Sequence, residues 1–252
     1  MNFIGPLLFG VMMIQSKIHI AQHTSEGVKS INEDSVNNCI PQDSHQLVHK
    51  GLCALVADGV STAEAGRQAS QLSVNQFIQD YYQTPDTWTV EHAGKQILST
   101  INLKLFRLSD AYRVEGKGYL CTFSGVIIKS RTAHVFHVGD TRVYLYRNGE
   151  LKQLTQDHSV FISKSQAVLS RAVGMDTQIH IDYFSLPIEE SDILLCSSDG
   201  VHDFVSHEEI QTVLGSDSNA DEKSKKLCDL ALANKSDDNI SAVVLEVETL
   251  QQ

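Results

Sequence analysis

The 252-residue sequence predicts an α+β fold in which antiparallel β-sheets carry helices on their outer faces. Three observations point there. Apolar runs of strand length follow one another closely between residues 122 and 154, so neighbouring strands pair antiparallel. Asn148-Gly149 between two of those runs is a strong hairpin signal. Residues with helical periodicity are gathered into blocks rather than alternating with single strands, which argues against a parallel doubly wound sheet.

The elements follow in order. Ile18 and Ile20 alternate with polar neighbours, as on a strand, and residues 52–57 form a continuous apolar run that stops at Asp58-Gly59. Ala65, Ala69, Leu72 and Phe77 recur at helical spacing, as do Ile97, Ile101, Leu105 and Leu108, predicting two successive amphipathic helices. After Gly116 and Gly118 come strands over 122–128, 133–138, 142–147 and 150–154, then 179–184 and 192–197. Helical stretches over 208–214 and 221–233 precede a last strand over 240–247. No linker separates these elements, and the chain is long enough for one large core.

Twenty Lys and Arg stand against 31 Asp and Glu, a net charge of −11 that repels polyanions, so nucleic acid is not an expected partner. The five cysteines (39, 53, 121, 196 and 228) form no C-x-x-C pair and read as buried small hydrophobes in a reducing compartment, the cytoplasm. Residues 3–14 are nearly all apolar, yet twelve residues are too few to span a bilayer as a helix, and no clear secretory signal is present. Membrane association is not expected.

Aspartate recurs where apolar strands begin or end: Asp58, Asp140, Asp199 and Asp238. One Asp-Gly alone reads as a turn. Four carboxylates at the ends of the most apolar strands read differently, because unpaired charge there is costly and basic residues are scarce beside them, Arg142 apart. Carboxylates without Cys or His at ligand spacing suit Mg2+ or Mn2+ better than zinc.

The succession Asn32-Glu33-Asp34, Ala57-Asp58-Gly59-Val60, His137-Val138-Gly139-Asp140-Thr141-Arg142, Leu154-Thr155-Gln156-Asp157-His158-Ser159, Ser170-Arg171-Ala172-Val173-Gly174, Ser197-Ser198-Asp199-Gly200-Val201 and Asp237-Asp238-Asn239-Ile240 resembles the metal-dependent type 2C serine/threonine protein phosphatases. Val60, where the eukaryotic branch tends to have histidine, fits the bacterial branch better. The resemblance implies a four-layer αββα sandwich, with residues 1–16 as an apolar extension and 17–252 as the phosphatase domain. It implies two Mn2+ or Mg2+ ions, with a position that can hold a third, looser one. Asp58 would bridge two metals, Gly59 would offer its carbonyl, and Asp199 and Asp238 would complete the other metal site. Asp34 and Glu33 match acids that hold metal-bound waters, Asp34 being counted with the metal residues, and Asp140 with Asp199 matches the third site.

A water bridging the metals would then hydrolyse phosphoserine and phosphothreonine, opposing a serine/threonine kinase. Asn239 reads either as a site residue or as a cap on the loop before the last strand, Arg171 either as a site cation or as a structural charge, and His158 as a structural hydrogen-bonder. Asp237 reads as a loop acid. The sequence departs from the family pattern in two places. Lys29 stands where Arg commonly grips the substrate phosphate, and reads either as that cation or as a solvated lysine. The stretch 159–170 is shorter than the flap of many bacterial members. Two other readings use the same fold: a silent phosphoprotein-binding module, which loss of a core aspartate would support although none is lost, and a small-molecule phosphoesterase.

Overall fold

The structure is a computed structural model that describes residues 17–60, 63–110, 118–163, 166–250. The apolar stretch 3–14 lies outside the described residues. The chain runs β1 (Lys17–Ser25), β2 (Ser35–Cys39), α1 (Ser44–Lys50), β3 (Leu52–Ala57), α2 (Ala63–Tyr81), α3 (Val90–Asp110), β4 (Phe123–Lys129), β5 (Thr132–Val138), β6 (Arg142–Arg147) and β7 (Glu150–Gln153). It continues through β8 (Ser159–Ser163), β9 (Gln166–Leu169), β10 (Asp182–Pro187), β11 (Ile193–Ser197), α4 (Asp199–His202), α5 (His207–Leu214), α6 (Ala220–Ala233) and β12 (Ile240–Thr249).

Two five-stranded sheets result, ordered β1-β12-β11-β6-β7 and β10-β5-β4-β3-β2, and every pairing in them is antiparallel. The uninterrupted apolar runs follow from burial on both faces. In β3, Cys53, Leu55 and Ala57 pack with α2 and α3, while Leu52, Ala54 and Val56 pack between the sheets. In β12, Val243, Leu245 and Val247 face the other sheet, while Ala242 and Val244 pack with α4, α5 and α6. The expected αββα layering is present. Four cysteines are buried, Cys39 is half-buried, and all five are free thiols.

The Asn148-Gly149 hairpin is as predicted, with positive φ at both residues and Arg147 paired with Glu150. Side-chain caps set where α5 and α6 start, each through a reciprocal capping box, Ser206 with Glu209 and Asn219 with Glu222.

Four features depart from the sequence reading. The strand expected over 179–184 lies three residues later, as Asp182–Pro187, in register with β5. The short edge strand β2 went unpredicted because its Asn37 and Asn38 give no apolar alternation; their amides bond Asn75 and Gln22. Helix α1 lacks an apolar stripe and is set instead by the Asp43 cap and by Gly51 at φ +75°. The stretch 159–170 holds a separate two-stranded hairpin, β8 with β9.

Candidate metal and phosphate site

The register brings eight strand ends to one edge of the sandwich. Ser25 pairs with Ile240, Ser197 with both Ala242 and Arg142, Ser35 with Ala57, and Phe123 with Val138. The residues just beyond those pairs are Asp34, Asp58, Asp140, Asp199 and Asp238. The acids from both sheets therefore meet only once the sheets are stacked.

Hydrogen bonds from backbone and hydroxyl groups nearby hold the segments that carry Asp58 and Asp34. The Asp58 N–H donates to Thr122 Oγ1 at 3.0 Å, and the Thr122 N–H returns to the Asp58 carbonyl at 2.8 Å. The Gly59 N–H donates to the Glu33 carbonyl at 3.2 Å, tying β3's end to the Asn-Glu-Asp segment. Asp34 is buried, and its Oδ2 accepts from Ser198 Oγ at 2.7 Å. Asp199 opens α4, directly after Ser198. A Cβ on Gly200 would stand 1.9 Å from the Asn239 carbonyl oxygen, so only glycine lets α4 approach the Asp238-Asn239 backbone this closely.

The electrostatics are those of crowded carboxylates. Burial, then Asp34, Asp199, Asp140 and Asp238, push Asp58 well above the usual carboxylate range. Asp199 is raised to about 8 by burial and by Asp238, Asp140 and Asp34. Burial raises Asp34 to about 6 against the hydrogen bonds that lower it, and Asp140 goes to about 6 through burial and the charge of Asp157. Burial also lifts Glu33. Among the described residues, Glu33 Oε1, Asp34 Oδ1 and Asp199 Oδ1 are buried oxygens with no hydrogen-bond donor. Such oxygens are costly to bury unless a cation meets them.

The cations at this edge are placed differently from the sequence reading. Arg142 turns aside and forks onto Asp157, Nε to Oδ1 at 3.0 Å and Nη2 to Oδ2 at 2.7 Å. Lys29 forms an ion pair with Asp238. Burial, which lowers its pKa, is outweighed by that bond and by the charges of Asp238, Asp58 and Glu33, so the ammonium is held above its ordinary value.

Asn239 does not cap its own loop with its side chain. Its amide donates to the Glu26 and Ile31 carbonyls, both at 3.0 Å, and accepts the Glu33 N–H at 2.9 Å, so it fixes the loop that carries Lys29 and Glu33. His158 is structural, as expected. Its Nδ1 accepts from the Gly139 N–H at 3.1 Å, which leaves Nε2–H to meet Asp182 at 3.1 Å. Arg171 pairs with Asp182 at 2.8 Å, and Asp237 is exposed. Sequence reasoning missed Ser198 and Thr122, whose hydroxyls position Asp34 and Asp58. Their only sequence signal was adjacency to the acidic motifs or to a strand start.

Among the described residues, no group of three His, Cys, Asp or Glu side chains already converges as metal ligands do. The acids share an edge without closing on a point. The donor set nevertheless fits hard divalent cations: it is all oxygen, three of its members carry orphaned buried oxygens, and burial together with mutual repulsion raises the pKa values of Asp58 and Asp199. The opposite end of the sandwich provides a contrast. A concavity of about 870 Å³ there is lined by Asp192, Glu246 and Glu248, each of which is paired with a basic side chain: Arg147, Lys223 and Lys17 respectively.

Comparison with known proteins bears on the family and the fold. Residues 27–234 match the family model described as Protein phosphatase 2C. A protein named serine/threonine phosphatase stp, from Listeria monocytogenes, is 28% identical over 254 residues, covering 93% of this chain and 98% of the relative. The crystal structure of serine/threonine phosphatase Stp1 from Staphylococcus aureus superposes with a TM-score of 0.82 at 22% identity, covering 98% of this chain and 100% of that one. The catalytic domain of the serine/threonine protein phosphatase PstP, in complex with two manganese ions, gives a TM-score of 0.77 at 23% identity, covering 92% and 99%.

Proposed function

This chain belongs to the protein phosphatase 2C family, and from that premise we propose that it hydrolyses phosphoserine and phosphothreonine in proteins with two divalent cations, Mn2+ or Mg2+, held at the acidic edge. The observation that carries the proposal is the gathering of Asp34, Asp58, Asp199 and Asp238 from both sheets at one edge, where Glu33, Asp34 and Asp199 each keep a buried oxygen that no protein donor satisfies. A structural turn needs no such arrangement.

Asp58 interacts with all the other aspartates of the cluster, which would suit it to serve both ions. The Gly59 carbonyl, Asp199 and Asp238 would hold them with it. Asp34, fixed by Ser198, and Glu33, fixed through the Asn239-bound loop, would orient water beside them. Asp140 stands near enough to Asp58 and Asp199 to raise both pKa values, which suits a third, looser ion shared with Asp199. Bound ions of this kind would supply a water nucleophile of lowered pKa and positive charge for the phosphoryl oxygens.

The remaining work belongs to the chain. Lys29 brings an ammonium to the rim, where it can meet the substrate phosphate as a point charge. The phosphatase domain is residues 17–252, and the opposing activity is that of a serine/threonine kinase. No helix among the described residues is long and apolar enough to cross a membrane. The free cysteines and the phosphoprotein substrate both suit the cytoplasm.

The test is hydrolysis of a chromogenic aryl phosphate and of a phosphothreonine peptide, each with Mn2+ and with excess chelator, beside Asp199→Asn. Turnover of both that requires metal and Asp199 is the expected result. Full activity under chelator sinks the metal reading, and turnover of the aryl phosphate alone shifts the substrate class to small phosphoesters.

A further inference from the structure

We propose that Lys29 is an internal counter-ion for Asp238 that gives way to the metal, so that loading the site also frees the Lys29 ammonium for the substrate phosphate. The inference rests on the reading of Asp238 as a metal ligand.

The ion pair is built into the backbone. The loop 26–31 is bound to the Asp238-Asn239 segment by the two Asn239 amide bonds to Glu26 and Ile31. Gly27 lies at φ +62°, and a Cβ there would stand 2.5 Å from the Asp238 carbonyl oxygen, so the two backbones touch where no side chain fits. The Lys29 N–H closes the turn onto the Glu26 carbonyl at 3.1 Å. With both backbones fixed, Lys29 always has Asp238 within reach, and only its four-carbon stem is left to move.

The Lys29 ammonium bonds Asp238 Oδ1, the same oxygen that accepts the Asn239 N–H at 2.6 Å. A divalent ion on that carboxylate competes with the ammonium for its lone pairs and repels it. Both side chains are about a third exposed, 37% for Lys29 and 32% for Asp238, so the ammonium has open space to swing into. Lysine suits this exchange better than arginine, whose guanidinium would fork onto the carboxylate and hold it. By linkage, metal binding and phosphate binding then strengthen each other.

The experiment titrates Mn2+ into chelator-stripped, dialysed protein by isothermal calorimetry, with free Mn2+ followed by electron paramagnetic resonance. Wild type, Lys29→Gln and Lys29→Arg are compared. Losing a partly exposed ion pair that competes with the metal should tighten Mn2+ binding by about fivefold in Lys29→Gln, while the fork in Lys29→Arg should weaken it by about threefold. Simple long-range repulsion would leave Lys29→Arg equal to wild type. In the Mn2+-loaded state, inorganic phosphate should bind Lys29→Gln several-fold more weakly than wild type. Failure of wild type to bind Mn2+ overturns the metal site itself. Mn2+ binding that is unchanged in both variants overturns only the exchange, and unchanged phosphate affinity in loaded Lys29→Gln overturns the release of Lys29 to substrate.

Discussion

Replacing His137 with glutamine should remove a specific part of the protein's acid sensitivity. His137 is 1% exposed and sits two residues before the Gly139-Asp140 turn. Its Nε2 lies 2.9 Å from the Gln156 carbonyl, which can only accept, so Nε2 carries the proton and Nδ1 accepts from Ser124 Oγ at 2.9 Å. Ser124 in turn bonds Thr141, so the neutral ring anchors both flanks of the turn that presents Asp140. Burial, then the neighbouring His158, lower His137 to about 4 from 6.5.

The folded state therefore binds fewer protons than the unfolded chain between those values. The stability His137 contributes is complete above pH 6.5 and is lost as the pH falls toward 4. Between pH 7.5 and 4.5 the loss is on the order of 2–3 kcal/mol. For a chain of this size that is roughly 5–10 °C in Tm. The assay is thermal unfolding of wild type and His137→Gln across that range in chelator, read as the difference between the two proteins. Shifts from the other titrating groups, including buried His202, cancel in that difference. Glutamine costs packing at every pH, so the wild-type advantage should be largest at pH 7.5 and shrink on acidification. A Tm difference that stays constant with pH would refute the argument.

Other expected outcomes concern the site directly. Asp58→Ala, Asp199→Ala and Asp238→Ala should each retain the fold by circular dichroism and lose more than about 90% of phosphopeptide turnover, a barrier increase of at least ~1.4 kcal/mol. A variant above that rate does not lack a metal ligand. Gly200→Ala should force α4 away from the Asn239 carbonyl, costing about 1–3 kcal/mol in a chemical denaturation curve and weakening Mn2+ binding by calorimetry. Unchanged stability would show that the backbones are not in contact there. Removing residues 1–14, which precede every candidate ligand, should leave metal-dependent turnover intact in a steady-state assay, and its loss would place that stretch in the core.

Much of the fold was legible because the burial pattern is written in the strands themselves. The runs 52–57, 193–196 and 242–245 are apolar at every position because both their faces are covered, and the ends of the strands that hold them marked where the acids lie. β2, α1 and the true start of β10 were not legible, since an edge strand of asparagines and a short capped helix owe their structure to tertiary partners rather than to periodicity. The identity of the acids could be read from sequence, but their partners could not. Arg142 is the nearest basic residue in sequence to Asp140, yet it serves Asp157 from the far side of a hairpin. Asn239 read either as a site residue or as a local cap, and its side chain binds a loop more than 200 residues away.

That last contact explains why the site depends on the whole architecture. Asp58 ends β3 in one sheet; Asp199 and Asp238 flank β11 and β12 in the other. Stacking the sheets brings like charges together, and repulsion among Asp58, Asp199, Asp34 and Asp238 opposes the last step of that packing. The opposing force comes from apolar burial between the sheets and from neutral clamps at the edge: Thr122 on Asp58, Ser198 on Asp34 and Asn239 on the 26–33 loop. None of these clamps carries charge, so they hold the carboxylates in place without neutralising them. The negative potential is left for cations to meet, and in this structure the Lys29 ammonium is paired with Asp238 there.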